Sequence, residues 1–520
     1  MGRGELVFLG GFMGSGKTSV GQRLAEAVGL PFVDLDKAIE LRAGASVAEI
    51  FASQGEEGFR RLEAQSLREI SDLERCIVAL GGGALKDPKG RELIRKKGRL
   101  VILDASADTV KNRVAAQPGQ RPLLKMENLE DLWEIRRPLY SDGDLRVETD
   151  HLNVSQVAEA VREGLSLPLK GDCDQRILGD ERTGLVVVGQ GVLSKLPELL
   201  GRTDTYVVAD SMTGPLFEPV VGQTRGRSVL PRGEDAKTMD VVEGLYDDFL
   251  SVGMDRGDVV LALGGGCVGD VAGFAAATWM RGIELVQCPT TLLAQVDSSI
   301  GGKVGVNLPQ GKNLVGAFHR PKIVLSDVNC LTSLSWKDYR QGLGEVVKYG
   351  LGEDPELFDL LERNVEGLLR RDPGLLVEVV ARCASIKLDL VSRDEREHDV
   401  RTRLNLGHTV AHGLEAASGY RDWSHGDAVA VGMVVATELS CRLGECDRHR
   451  LDRLNRLLTD LRLPRRPDRP WSDLERHIAR DKKFRKGSPR LVLPRSGEVS
   501  FVWEGPIEEL RRAYEEVYRS

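Results

Sequence analysis

Residues Gly11–Thr18 read GFMGSGKT, a complete GxxxxGK[ST] phosphate-loop pattern close to the start of the chain. The apolar run Leu6–Leu9 precedes it. Ser19–Gly29 follows, with Val20, Leu24, Ala27 and Val28 on one helical face and Gly29 and Pro31 to close the helix. Strand, glycine loop and helix in that order commit this end of the chain to a parallel α/β layer. In such a loop the backbone N–H groups around Gly14, Ser15, Gly16 and Ser19 curl about phosphate oxygens at a helix N-terminus. Lys17 reaches the outer phosphates and Thr18 ligates Mg²⁺. A ligand-free glycine turn is the competing reading, and the intact pattern argues against it. This end of the chain is expected to bind a nucleoside triphosphate.

A chain of 520 residues exceeds one hydrophobic core, so about three domains are expected. With 41% apolar and 29% charged residues the composition is that of an ordinary globular enzyme. The formal net charge of −7 argues against a general nucleic-acid or membrane-surface binder, while leaving room for local basic pockets. Eight scattered cysteines without a CxxC pair suggest neither a zinc ribbon nor a disulfide framework. No signal-peptide core or charge-free run of transmembrane length is present, and a reduced, cytoplasmic setting is expected.

Three regions follow one another. Up to about residue 165, short apolar runs alternate with helical patterns; Pro31–Asp34, Ile77–Leu80 and Leu100–Leu103 read as buried strands. Gly164–Arg176 breaks the periodicity and reads as a linker. A second α/β region contains Gly184–Val188, Thr205–Ala209 and Val259–Leu263, the last running into Gly264-Gly265-Gly266. From about residue 330 the pattern is mainly helical to the end, with Glu356–Arg371 and Leu375–Val391 as clear examples. Two glycine-rich strand ends on either side of a linker suggest two separate ligand sites, as in a fusion.

In the first region Asp34 and Asp36 form a DxD pair. Two residues apart on a strand they point to the same face, where one can support Mg²⁺ and one can accept hydrogen bonds from a polyol. Phe59-Arg60-Arg61, Arg121-Pro122-Leu123-Leu124 and Arg136-Arg137-Pro138-Leu139-Tyr140 supply arginines, whose planar forks suit carboxylates and phosphates. With GSGKT, FVDLDKAIE, FRRLE, GGGA, RPLL and RRPLY in order, residues 1–165 resemble shikimate kinase. The resemblance implies that Asp36, Arg60, Arg136 and the turn Gly81, Gly82, Gly83 hold shikimate, and that Asp34 supports Mg²⁺. It also implies that Arg121 contacts ATP from a lid. Catalysis would then be positioning plus charge neutralisation by Mg²⁺, Lys17 and arginine, with Asp36 orienting or deprotonating the attacking hydroxyl.

The second site starts from histidines. The chain has only eight, yet His408, His412 and His425 share one short window. Asn405–His412 reads as a helix that sets His408 and His412 one turn apart, so spacing alone makes both metal ligands, with Glu345 available to complete the site. Gly264-Gly265-Gly266-Cys267-Val268-Gly269-Asp270 follows a strand and opens a helix, a dinucleotide-phosphate site by mechanism though not by the usual spacing. Pro289-Thr290-Thr291 and Gln295–Ser299 add polar groups. Lys303, Lys312, Lys348, Lys387, Arg401, Lys482 and Lys483 add cations.

The runs GGGCVGDVAGFAAAT, QCPTTLLAQVDSSIGGKVGVN, GKNLVGAFHRP, GLGEVVKYG, RTRLNLGHTVAH and HGDAVAVGM resemble 3-dehydroquinate synthase over residues 176–520. The resemblance implies Zn²⁺, with Co²⁺ as a substitute, held by Glu345, His408 and His425, and moves His412 from ligand to proton transfer. It implies NAD against Gly265, Gly266, Cys267, Asp270, Thr290, Thr291 and Lys312, with Glu234 and Lys237 near its adenosine part. Substrate would meet Arg281, Asp297, Lys303, Asn313, Lys348, Lys387, Arg401, Asn405, His412 and one of Lys482 and Lys483. Glu397 matches a position credited with acid–base work; Lys303 and Lys348 join it as catalytic candidates.

The fold class that results is α/β: a phosphate-loop kinase domain over 1–165, a linker over 166–175, a Rossmann-like NAD domain over 176–326 and a mainly helical metal domain over 327–520. The implied activities are ATP-dependent phosphorylation of shikimate and conversion of a heptulosonate phosphate to 3-dehydroquinate with loss of phosphate. A dimer through the second half is expected. The alternatives are a sugar-phosphate cyclase of other product specificity fused to a related kinase, or to a non-catalytic nucleotide-binding module.

Overall fold

The computed structural model of the chain describes residues 5–115, 129–169, 175–180, 183–201, 204–396, 399–419, 421–478, 484–485 and 488–519. It divides into two compact units: Met1–Cys173 with Leu193–Gly264 and Asn329–Ser335, and Asp174–Val192 with Gly265–Val328 and Trp336–Ser520. Strands are numbered β1 Glu5–Gly10, β2 Phe32–Asp34, β3 Arg75–Ala79, β4 Gly98–Asp104, β5 Leu145–Glu148, β6 Gln175–Leu178, β7 Leu185–Gly189, β8 Thr205–Asp210, β9 Gly226–Leu230, β10 Val259–Gly264, β11 Glu284–Pro289, β12 Lys303–Leu308, β13 Gly311–Phe318 and β14 Ile323–Asp327.

In the first unit, five strands lie in the order β2-β3-β1-β4-β5, all parallel, with Val7 opposite Ile77 and Leu9 opposite Val101. Strand β1 is therefore central, and the phosphate loop leaves from the middle of the sheet. Its helix Lys17–Val28 buries Val20 and Leu24 against Val157 and Val161 of helix Val154–Gly164, in a core with Val7, Leu9, Ile77 and Val101. Left-handed glycines bound that helix, Gly16 at φ 95° and Gly29 at φ 68°. Asp36 departs from expectation. The Asp34 carboxylate accepts the backbone N–H groups of Asp36 and Lys37, so the strand stops at Asp34 and Asp36 stands in the first turn of helix Leu35–Ala43. The unit also holds three further parallel strands, in the order β10-β8-β9.

The second unit holds four strands in the order β6-β7-β14-β11, with β6 antiparallel and the others parallel. An antiparallel ribbon, β12 and β13, pairs Lys303 with Phe318. Helices then dominate, as expected, with three differences. Glu356–Arg371 is two helices, Pro355–Arg363 and Val365–Arg370, because Asn364 leaves helical geometry at φ −126°, ψ 28°. A β-hairpin, Ser488–Arg495 with Glu498–Glu504, was not expected. Leu491, Val492 and Leu493 are all buried, so its first strand lacks the alternation that betrays a half-buried strand. Third, the expected helix Asn405–His412 is a 3₁₀ turn, Val400–Asn405, and a helix that begins at His408. Among the described residues no helix is long and apolar enough to cross a membrane.

Gly407 causes that last break. It is left-handed, at φ 79°, and a Cβ there would lie 2.8 Å from Met433 N and 2.9 Å from Val429 O. A Cβ on Gly432 would in turn lie 2.0 Å from Gly407 O, so the two glycines let the His408–Ala417 and His425–Arg442 helices touch backbone to backbone. Gly407→Ala should lower stability by at least about 1–2 kcal/mol from the left-handed geometry alone. Calorimetry checks this; an unshifted melting transition would contradict the close approach.

Candidate active sites

In the first unit the phosphate loop folds on itself. Lys17 Nζ donates to Gly11 O at 2.9 Å and Phe12 O at 3.0 Å, and Thr18 Oγ1 donates to Asp34 Oδ2 at 2.6 Å. Gly14 and Gly16 are left-handed, the conformation by which glycine loops turn N–H groups toward an anion. Arg113, which the sequence did not single out, braces the loop: Nη1 donates to Ser15 O at 3.4 Å and Nη2 to Thr149 O at 2.7 Å.

The turn after β3 forms the facing wall, and each of its glycines meets one expected side chain. A Cβ on Gly81 would lie 2.4 Å from Asp36 Oδ1, and one on Gly83 would lie 2.5 Å from Arg60 Nη2. The Gly82 carbonyl accepts Arg136 Nη1 at 3.3 Å and Tyr140 Oη at 3.0 Å. Larger residues would displace the groups expected to hold substrate. Arg60 is steered by buried Glu63, with Nη1 to Oε2 at 2.5 Å, a partner the sequence reading missed. Burial and the neighbouring Asp34 charge push the Asp36 carboxyl up to about 6, against the pull of Lys17. Arg121 lies outside the described residues.

In the second unit, Glu345, His408 and His425 converge, with one ligand atom from each lying within 4.8 Å of the others. Glu345 Oε1 is 3.7 Å from His408 Nε2 and 3.4 Å from His425 Nε2. The other ring nitrogens are occupied: His408 Nδ1 is 3.1 Å from Leu406 O, and His425 Nδ1 is 3.3 Å from Glu415 Oε1. Donation from Nδ1 leaves both Nε2 lone pairs facing Glu345, as a metal site requires. Glu345 is fully buried: Oε2 meets the Lys348 ammonium, and Oε1 lies between the two Nε2 atoms. An N₂O set with a buried carboxylate oxygen between two imidazole nitrogens fits a divalent cation and leaves further positions for substrate. His412 is not in the set. Its ring lies 5.6 Å from that of His408, on the same helix face, and the third member of the group comes from the start of helix His425–Arg442. Spacing alone gave His412 a ligand role, and the geometry leaves it outside this group. Glu415 carried no sequence signal beyond its charge.

Beside this cluster, one turn along helix Trp336–Gly352, buried Lys348 is ion-paired with Glu345. Lys387, on helix Pro373–Arg393, reaches Asp297 Oδ1 at 2.7 Å, and Tyr349 Oη donates to the same oxygen at 3.1 Å. Burial opposes charge on Asp297, yet Lys387 and Lys348 hold its carboxyl well below the usual range. Burial pulls the Lys387 ammonium down, while for Lys348 the Glu345 and Asp297 charges outweigh burial and raise it. Arg401 is buried, and a Cβ on Gly301 would lie 2.7 Å from its Nη2. Asn405 ends the same 3₁₀ turn.

Gly265 caps helix Gly266–Thr278, whose first residues include Cys267 and Asp270. Cβ atoms on Gly265 and Gly266 would lie 3.0 Å from Thr291 Cγ2 and 2.9 Å from Ser298 Oγ, so the loop is pressed against the Thr290–Thr291 segment. Glu234 stands in the turn Gly233–Ala236, with Lys237 buried directly after it. Lys303, Lys312 and Asn313 are exposed on the β12–β13 ribbon, and Arg281 is exposed on a left-handed turn. Glu397, Lys482 and Lys483 lie outside the described residues.

Residues 227–341 match the family model for the 3-dehydroquinate synthase N-terminal domain, and residues 342–484 match that for its C-terminal domain. The 3-dehydroquinate synthase of Halorhodospira halophila is 46% identical over 322 residues, which cover 61% of this chain and 91% of that protein. The chain belongs to the 3-dehydroquinate synthase family. The synthase of Symbiobacterium thermophilum is also 46% identical, over 62% of this chain and 94% of that protein. A solved 2-epi-5-epi-valiolone synthase from Streptomyces hygroscopicus, with NAD⁺ and Zn²⁺ bound, shares the synthase fold at a TM-score of 0.60. It is 28% identical and covers 66% of this chain and 98% of its own. Residues 13–166 match the shikimate kinase family model, so kinase and synthase are joined in one shikimate-pathway enzyme.

The raised Asp36 carboxyl gives the kinase a pH signature. It is ionised above about pH 6 and takes up a proton as the pH falls through that value. If the ionised form orients or accepts the proton of the shikimate hydroxyl, kcat/KM for shikimate should drop below pH 6. Asp36→Asn should abolish both the activity and that limb, and a wild-type profile flat down to pH 5 would exclude the role.

Proposed function

We propose that residues 1–165 phosphorylate shikimate and residues 176–520 convert 3-deoxy-D-arabino-heptulosonate 7-phosphate to 3-dehydroquinate, with NAD-facing residues over 176–326 and metal-facing residues over 327–520. The observation that carries the synthase half is the convergence of Glu345, His408 and His425, with their outward nitrogens held, beside buried Lys348, Lys387 and Arg401.

In the kinase half, Lys17 and the N–H groups of Gly14–Ser19 hold the ATP phosphates. Mg²⁺ held by Thr18 and Asp34 would neutralise charge on the transferring phosphoryl group. Asp36, Arg60, Arg136 and the Gly81–Gly83 turn fix shikimate, and Arg121 belongs with the phosphate contacts.

In the synthase half, Glu345, His408 and His425 would hold Zn²⁺ or Co²⁺; Gly265, Gly266, Cys267, Asp270, Thr290, Thr291, Lys312, Glu234 and Lys237 would hold NAD. When bound, the metal supplies Lewis acidity to substrate hydroxyls and NAD supplies reversible hydride transfer. Lys348, Lys387, Arg401, Asn405 and Asp297 bind and orient the anionic sugar, joined by Arg281, Lys303, Asn313 and one of Lys482 and Lys483. His412, one helical turn beyond a ligand yet outside the set, moves protons at the substrate hydroxyl, and Glu397 shares acid–base work. The chain acts in the cytoplasm as a dimer formed through its synthase half.

Mass spectrometry of products from the purified chain, offered both substrates, tests the reading; a different carbocycle would point to a cyclase of other specificity. Lys17→Ala should cost shikimate phosphorylation on the order of 10³ in rate while leaving dehydroquinate formation near wild type. Equal loss of both activities would show that the halves are coupled. His425→Ala should lose the metal, whereas His412→Ala should keep it and slow turnover by about 10²–10⁴. Metal analysis of the two variants side by side decides: loss of metal from His412→Ala would restore the spacing-based assignment.

A further inference from the structure

Helix Trp336–Gly352 carries Glu345 and Lys348 and ends one residue before Glu353. The 3₁₀ turn Val400–Asn405 carries Arg401 and Asn405 and leads through Leu406 and Gly407 to His408. These two elements are far apart in sequence, yet together they supply metal-facing and anion-facing groups to one site. Between them runs a pair with no place in the reading above: Arg403 Nη2 lies 2.9 Å from Glu353 Oε2, with the two side chains only 19% and 6% exposed. Arg403 Nε and Glu353 Oε1 are buried and make no further hydrogen bond, so each group's polar contacts centre on the other. Side chains close over the helix end at the same point: a Cβ on Gly352 would lie 3.0 Å from Leu406 Cδ2 and 2.7 Å from Ser500 Oγ.

Stability alone does not account for such a pair. Two charges withdrawn from water recover their desolvation cost only with excellent geometry and full hydrogen bonding, and apolar residues of similar volume often serve the fold as well. What a directional ion pair adds is register. Arg403 lies two residues from both Arg401 and Asn405, so a shift or rotation of the turn that breaks its contact also moves those two side chains. Leu406, Gly407 and His408 follow in the same segment.

We propose that Arg403 is a positioning residue of the synthase, its ion pair with Glu353 fixing the Val400–Asn405 turn on helix Trp336–Gly352 so that Arg401 and Asn405 meet the anionic sugar that Lys348 also holds. The proposal rests on the reading of Arg401, Asn405 and Lys348 as substrate-binding groups. Glu353 gives the pair a pH dependence. Burial pushes its carboxyl up to about 7, against the pull of Arg403, Lys348 and Arg393 and with a push from Asp389. The pair is therefore fully charged above about pH 7 and loses its negative partner as the pH falls through that value.

Steady-state kinetics on the full chain test this with Arg403→Ala, Arg403→Lys, Glu353→Gln and Arg401→Ala, using 3-deoxy-D-arabino-heptulosonate 7-phosphate as substrate. Arg403→Ala should raise KM about 10–100-fold with a smaller change in kcat, and Arg403→Lys should recover part of the loss. Shikimate phosphorylation by the same variant and its metal content should be unchanged. Glu353→Gln is nearly isosteric and carries the test if Arg403→Ala does not fold. It should raise KM at pH 8 and flatten the rise in KM that the wild type shows between pH 8 and pH 6. A wild-type KM in either Arg403→Ala or Glu353→Gln overturns the proposal, as does equal loss of kinase and synthase activity, which would make the pair a general staple of the fold. A raised KM in Arg401→Ala beside a normal one in Arg403→Ala overturns the proposal alone. A normal KM in Arg401→Ala overturns the substrate-binding reading beneath it.

Discussion

The synthase site depends on keeping three charges, Glu345, Lys348 and Lys387, out of water, with a half-buried Asp297 among them. Glu345, Lys348, Asp297 and Lys387 are held around the metal-facing carboxylate by two helices and the segment before β12. Each buried ion costs several kcal/mol even after relaxation, and that cost is recovered only if the partners stay in register. Lys348 is one helical turn from Glu345, so backbone geometry delivers that pair. Lys387 and Asp297 are 90 residues apart in sequence, and only tertiary packing delivers theirs. The opposed shifts of Lys348 and Lys387 express the difference: one ammonium is held between two carboxylates, while for the other desolvation prevails. A cluster so arranged presents fixed charges to an anionic substrate with little reorganisation when charge moves.

Close backbone approach is the second recurring device, and both halves use it. In the kinase, Gly81 and Gly83 lie where a side chain would collide with Asp36 and Arg60. In the synthase, Gly265 and Gly266 press against Thr291 and Ser298, Gly301 against Arg401, and Gly407 against Gly432. In each case the missing Cβ lets a functional group or a neighbouring backbone occupy the space. Glycine runs at the ends of parallel strands thus mark where ligand groups are brought together, in keeping with the general placement of sites at strand carboxyl ends.

The elements themselves were largely legible. Strands β1, β3, β4, β8 and β10 fall within a residue or two of the apolar runs that announced them, because a strand buried on both faces reads as a continuous apolar run. The errors have specific causes. Asp36 read as a strand residue because spacing by two was taken without the N-cap that Asp34 makes. Asn405–His412 read as one helix because the left-handed Gly407 is invisible until Gly432 is placed against it. The Ser488–Arg495 hairpin carried no alternation, since consecutive residues of its first strand are buried.

Sequence alone determined the chemistry on offer: a phosphate loop, a glycine-ended strand before a helix, a histidine cluster and a supply of arginine and lysine, because each depends on residues close together in the chain. It also determined that His408 and His412 share a helix face. Tertiary structure decided which groups work together. It set Glu345 and His425 against His408 in preference to His412, gave His425 its Glu415 partner, placed Glu63 on Arg60 and Arg113 under the phosphate loop, and buried Arg403 against Glu353. Those choices are absent from any local window, because burial and pairing are properties of the packed chain, where desolvation makes one partner indispensable and leaves a neighbour of the same type free for another task.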